Sequence, residues 1–132
     1  MSFAADVQKF SRMASQSLEK TARAVEIQVF AEVINLSPRR TGRFVGNWQI
    51  SQGAPTDSEL AREIEKQQAV NEMNEVVAAL KGGGVTFMAN NLPYAVPLEY
   101  GHSKQQAPQG MVRRTVARFN QIADEAARKN RV

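Results

Sequence analysis

Apolar residues recur at steps of three and four through the first third of the chain: Phe3, Val7, Phe10, Ala14, Leu18, Ala22, Val25, Val29, Val33 and Leu36. That spacing lines up one face of a helix. No glycine or proline interrupts it before Pro38, which a continuing helix interior cannot accommodate. The pattern predicts a helix over residues 4–36, about 48 Å long at the α-helical rise. A compact domain of this length has a diameter of roughly 36 Å. The helix is therefore expected to outrun its own domain. It either bends or projects one end and buries its apolar face on another subunit.

Beyond it, Pro38 and Gly42 predict a turn over 39–43. Residues 44–51 then alternate as a strand does, with Phe44, Gly46, Trp48 and Ile50 on one face and Val45, Asn47, Gln49 and Ser51 on the other. Trp48, the only tryptophan, reads as core rather than as a platform for a ligand. After a loop at 52–55, Thr56 and Glu59 have the spacing of a capping box, and Asp57 with Glu59 suits the positive end of a helix. Leu60, Ile64, Val70, Met73, Val77 and Leu80 give this second helix a thin apolar face, and the glycines at 82–84 end it. A short strand is expected at 85–90. A turn at 91–93 leads into an extended run over 94–100, where Pro97 favours an edge strand or a bulge. A polar loop spans 101–110. The last helix is expected over 109–128, with Val112, Val116, Phe119, Ala123 and Ala126 on its apolar face. The whole reads as α+β: a small, mainly antiparallel sheet packed against a long N-terminal helix and a C-terminal helix. One domain covers 1–132, with an acidic helical insertion at about 56–81.

Composition narrows the function. A chain of 132 residues with 42% hydrophobic and 23% charged residues fits one globular domain with a real core. No apolar run reaches bilayer-spanning length, and the first residues lack a basic region followed by an apolar stretch, so no membrane partner and no secretory signal are expected. Without secretion, the glycosylation-like Asn35-Leu36-Ser37 carries no meaning. Cysteine is absent, which excludes disulfides, thiolate metal sites and cysteine nucleophiles. A protein made and used in the cytoplasm is the default. The net charge of +4 is segregated: Arg39, Arg40 and Arg43 precede an acidic middle containing Glu63, Glu65 and Glu72, and basic residues return after position 82. Such segregation steers charged partners, and it also suits stacked subunits with complementary faces.

Catalysis has little to draw on. His102 is the only histidine, and beside Ser103 in a polar loop it has neither a base nor an orienting acid built around it. The glycines at 82–84 lack the ordered pattern of a phosphate loop. No enzyme activity, cofactor or metal is expected. A small basic nucleic-acid-binding protein is the main alternative, since Arg39, Arg40 and Arg43 share one turn while Arg113, Arg114 and Arg118 share a helix segment. No DNA-reading motif or interleaved aromatic platform surrounds them. Pairing with acids across a subunit interface is the better reading of these arginines. A regulatory adaptor of the toxin–antitoxin kind, bound to one host partner, is a third class.

Two separated signatures point more narrowly. The first is Ser37-Pro38-Arg39-Arg40-Thr41-Gly42-Arg43 followed by the strand pattern up to Trp48. The second is Tyr94-Ala95, then Glu99-Tyr100-Gly101-His102, a variable loop, and Ala107-Pro108 shortly before Met111. In this order, behind a long amphipathic helix, they resemble the head–tail joining and tail-completion proteins of long-tailed bacteriophages. The likeness covers roughly 1–52 and 84–128. The chain departs from it in the acidic helix expected at 56–81, where many relatives have a strand or short loop. It departs again at Gly110-Met111, where proline and phenylalanine are common and where Met can fill an apolar gap.

The resemblance implies a structural virion protein of the phage neck, made in the host cytoplasm. It implies a homo-oligomeric ring, six-fold or twelve-fold, that completes the tail and joins it to the head. Its partners would be copies of itself, other neck proteins and tail-tube or tail-terminator proteins. Genomic DNA would pass through the channel without sequence-specific contact. Subunit or partner contacts would fall on Arg39, Arg40, Thr41, Gly42, Arg43, Tyr94, Glu99, Tyr100, Gly101, His102, Arg113 and Arg114, with the loop 101–110 as a docking element. Glu63, Glu65 and Glu72 would face the channel.

Overall fold

A computed structural model describes residues 3–38, 42–81, 84–100 and 110–130. Among the described residues the α-helices and β-strands follow in the order α1 (Phe3–Leu36), β1 (Trp48–Gln52), α2 (Lys66–Ala79), β2 (Thr86–Asn90), α3 (Ala95–Glu99), α4 (Val112–Ala117) and α5 (Phe119–Lys129). The α+β class is as expected: a long N-terminal helix, a two-stranded antiparallel sheet, and a C-terminal helical segment packed on the first helix.

α1 is a single helix of 34 residues, about 51 Å long. Its buried side chains, Phe30, Val33 and Ile34, all lie in its last two turns. Ser37 stops it: the Ser37 N–H donates to the Ile34 carbonyl at 3.1 Å, and its hydroxyl donates back to the Val33 carbonyl at 2.7 Å. The same buried hydroxyl accepts the Trp48 indole N–H at 2.8 Å. The helix end and the start of the sheet are thus tied through one oxygen.

Two apolar clusters share the C-terminal end of α1. Phe30 and Ile34 meet Val45 and the α2 residues Ala69, Met73 and Val77, one helical face at steps of four. Val33 meets Phe44, Leu92 and Met111. Trp48 and Met88 touch both, so the sheet forms the seam between them. Met111 is buried in the second cluster.

Four expectations need correction. The strand expected from residue 44 begins at Trp48; Val45–Asn47 is a turn of 3-10 helix that buries Val45, Gly46 and Asn47 together. The helix expected from residue 56 begins at Lys66, and no capping box forms at Thr56. Residues 54–65 run irregularly because their backbone groups are taken by side chains and backbone elsewhere. The buried Asn47 amide accepts the Leu60 N–H at 2.7 Å and donates to the Leu60 carbonyl at 3.0 Å. Gly42 takes the Ile64 N–H at 3.1 Å, and Gln49 and Asn91 both donate to the Ser58 carbonyl. A local helix cannot compete once these longer-range bonds satisfy the same groups.

The extended run expected at 94–100 is instead the short helix α3. Pro97 lies in its first turn, where a missing N–H costs nothing. The last helix is broken at Arg118 into α4 and α5, and of the face expected to be apolar only Ala126 is buried and Ala123 half-buried. Met111, Thr115, Ile122 and Ala126 point inward, while Val112, Val116 and Phe119 stay in solvent.

Candidate assembly surface

The second motif is built around one carboxylate. Glu99, at the end of α3, accepts backbone N–H bonds from Met111 and Val112 on Oε1 and from Arg113 on Oε2, each at 2.9 Å. It therefore caps the start of α4 from outside that helix, meeting donors a helix cannot satisfy itself. The Arg113 Nε adds a contact to Oε2 at 3.1 Å, and another guanidinium nitrogen donates to the Glu99 carbonyl. The same guanidinium lies 4.7 Å from the centre of the Tyr100 ring. Burial pushes the Glu99 carboxyl up, but the backbone N–H groups of Arg113, Val112 and Met111, aided by the Arg113 side chain, outweigh it and hold the acid below the usual glutamate range.

Gly110 makes the clamp possible. Its φ of +83° is open to glycine, and a Cβ there would fall onto the Glu99 carboxylate and carbonyl. Glu99, Tyr100 and Arg113 are thus brought together, with Tyr94 against the Phe44 ring at 5.9 Å between centroids. Arg114 is exposed on α4. Gly101 and His102 lie outside the described residues, as does the loop up to residue 109.

The first motif is architectural in the same way. Arg39, Arg40 and Thr41 lie outside the described residues. Gly42 is buried with φ +81°, and its carbonyl accepts N–H bonds from Gly46 and Ile64. A Cβ at Gly42 would sit 2.6 Å from the Ile64 carbonyl oxygen. Arg43 reaches Glu59 at 3.7 Å.

The three acids expected on the helix at 56–81 do not share a helix. Glu63 and Glu65 are exposed on the irregular run, and Glu72, on α2, is paired with Arg62 at 3.0 Å. Arg118, at the break between α4 and α5, pairs with Glu32 of α1.

Two apolar strips lie open on the surface. Every residue from 3 to 13 is exposed, with Phe3 at 84% and Phe10 at 63% of their full accessibility. Leu18, about two turns beyond Phe10 on that face, is 72% exposed. A second strip lies on α4 and α5, where Val116 is 62% exposed between Val112 and Phe119. Sequence periodicity found both strips, and for α1 the length of the helix already left open an end projecting onto another subunit; periodicity alone cannot tell a face turned to a core from one turned to a partner. Among the described residues, no group of three or more His, Asp or Glu gathers to hold a metal, and no helix is long and apolar enough to cross a membrane. The chain matches no family model, no curated protein and no solved structure.

Proposed function

We propose that this protein is a structural component of a bacteriophage neck, forming a ring that completes the tail and joins it to the head around the DNA channel. The observation that carries this reading is the N-terminal part of α1: a helical arm with an aromatic apolar face that its own domain leaves uncovered. Exposed apolar patches of this kind mark association surfaces. The architectural roles of Gly42 and Glu99 support it too, since both fix the backbone where the resemblance places its motifs. The irregular run at 54–65 is also closer to the short loop implied there than the expected acidic helix was.

The partners are other copies of the chain, neighbouring neck proteins and tail-tube or tail-terminator proteins, in the virion and in host cytoplasm during assembly. No covalent chemistry is involved. The channel-facing role falls on Glu63, Glu65 and Glu72, whose negative charge keeps DNA from adhering in transit. Direct nucleic-acid binding has weaker support, because Arg43, Arg113 and Arg118 each engage a carboxylate within the chain.

The test is the absolute mass of the purified protein by light scattering at moderate salt, alone and mixed with tails or tail-tube protein. A discrete ring-sized species, or specific attachment to tail ends, is expected. A monomer that ignores tails and binds DNA with a steep salt dependence would overturn the proposal in favour of the nucleic-acid reading.

A further inference from the structure

We infer that the outer edge of β2 is where two copies of this chain pair, strand against strand about a two-fold axis, to make one continuous four-stranded sheet. This goes beyond the ring reading and does not depend on it. β2 pairs with β1 alone, antiparallel, with Ser51 opposite Phe87 and Gln49 opposite Ala89. The same register extends to Gly53, whose N–H donates to the Val85 carbonyl. Antiparallel ladders alternate bonded and non-bonded pairs. Gly53 and Val85 are a bonded pair, so Ser51–Phe87 and Gln49–Ala89 are bonded too. The N–H and C=O groups of Thr86, Met88 and Asn90 therefore point the other way, along the outer edge. Among the described residues no backbone hydrogen bond reaches them there. The opposite edge of the sheet is already engaged: the Trp48 N–H donates to the Val45 carbonyl, and the Gln49 side chain ties the run at 54–65 beside β1.

An open edge is ordinarily guarded by a lysine, a proline or an inward-pointing charge. β2 has none of these, and no charged residue occurs from position 82 to 98 in a chain of which 23% is charged. Two copies that each carry a net charge of +4 repel one another in general. Along this stretch they can meet without setting like charges together.

The strand is also complementary to itself. A two-fold axis at Met88 sets that residue beside its own image, Thr86 opposite Asn90 of the other copy, and Phe87 opposite Ala89. Every free N–H of one edge then meets a free C=O of the other. Phe87 on Ala89 is large against small, on the face away from Met88, which packs against both apolar clusters. Thr86 with Asn90 is polar against polar, and the flexible Met88 side chain adapts to its image. Slipping the register by two residues sets Phe87 on Phe87 or Ala89 on Ala89, and it leaves Asn90 or Thr86 beyond the end of the partner strand.

The chain has no cysteine, so introduced cysteines report the contact without background. Phe87→Cys and Ala89→Cys, made on separate copies and mixed under oxidising conditions, are expected to give a covalent dimer, because the Cα atoms of such a non-bonded pair lie about 4.5 Å apart. Neither variant alone is expected to do so, since like positions sit on the diagonal at roughly 7–8 Å. With both changes on one chain the product should stop at the dimer. A ladder of higher multimers would mean a head-to-tail contact and overturn the two-fold pairing. The unaltered protein gives an independent reading. Its mass by light scattering should approach twice 14.6 kDa as concentration rises. Over the same range the Thr86, Met88 and Asn90 amides should slow in hydrogen exchange by about tenfold or more, while those of Phe87 and Ala89, bonded to β1, stay protected throughout. Exchange at Met88 that ignores concentration overturns the proposal, as does a monomer at every concentration. Rings that form on tails without the cross-link remove the edge pairing and leave the ring reading; a cross-linked dimer that never attaches to tails does the reverse.

Discussion

Glu99 and Gly110 approach so closely that only a residue without a side chain fits at position 110: an added Cβ would stand 2.5 Å from the Glu99 carbonyl oxygen. The pair brings together the two ends of the segment 101–109 and delivers a carboxylate to the first N–H groups of α4. Gly110→Ala must therefore displace the acid or break the turn. Combined with the unfavourable positive φ, the expected loss is about 2–3 kcal/mol in urea unfolding. A loss under half a kcal/mol would show that the clamp gives way without resistance.

The same carboxylate should make stability depend on acid. A carboxyl held below its ordinary value in the fold contributes stability that is fully present above the unfolded-state pKa of about 4.3 and is lost as pH falls through the lower, folded-state value. Glu99→Gln removes the charge from three backbone N–H contacts and the Arg113 pair, and about 2 kcal/mol should go with it at pH 7. The difference between wild type and variant should shrink below pH 4. Parallel stability curves from pH 7 down to pH 3 would place the acid sensitivity elsewhere.

Asn47 carries the run at 54–65. Its amide satisfies both the N–H and the carbonyl of Leu60 and also donates to the Arg43 carbonyl at 2.8 Å, all from a buried position. Asn47→Ala leaves those groups unpaired and is expected to cost about 3 kcal/mol. Hydrogen exchange at the Leu60 and Ile64 amides should accelerate well before that of α2. Unchanged protection there would mean that Gln49 and Asn91 hold the run unaided.

The hydroxyl of Ser37 accepts from Trp48 while donating to Val33, so the pair should couple in a double-mutant cycle of Ser37→Ala and Trp48→Phe. An interaction of about 1 kcal/mol is expected from chemical denaturation. Strict additivity would reduce the tie between the helix end and the sheet to coincidence of position.

The places where sequence reasoning succeeded and failed divide along one physical line. α1, α2 from Lys66 onward and β2 were legible because their own periodicity or flanking glycines specify them. Residues 56–65 misled because Thr56 and Glu59 satisfy a local rule, while Asn47 and Gly42, distant in sequence, bind the same backbone more completely. Asn47 gave no local signal, since the strand alternation placed it on the polar face with Gln49 and Ser51. Glu99 was picked out as a contact residue, yet its role as a cap depends on Gly110 and Arg113, which no local pattern connects to it. On α4 and α5 the apolar stripe was real, and what failed was the assumption that a stripe faces its own core. Thr115 is buried with Met111 and Ile122, and its hydroxyl is satisfied there by the Met111 carbonyl at 2.9 Å, while Val116 is exposed.

That last distinction supplies the sharpest test of the arm. Phe10 and Ile34 lie on the same helix and are both large apolar residues, but Phe10 is 63% exposed and Ile34 only 1%. If α1 serves two purposes, the two positions should respond in opposite ways. Ile34→Ala opens a cavity where the helix meets Val45, Met73 and Val77, and should cost about 3 kcal/mol of monomer stability. Phe10 belongs to neither apolar cluster, and Phe10→Glu should change stability by under about 0.5 kcal/mol. Placing a charge on the apolar arm should nevertheless abolish assembly on tails, because the partner face would have to desolvate it without a counter-charge. A Phe10→Glu protein that still assembles would show that the arm is not the joining surface. One that melts early would show that the arm folds back onto its own domain in solution, and either result would remove the main physical support for a ring.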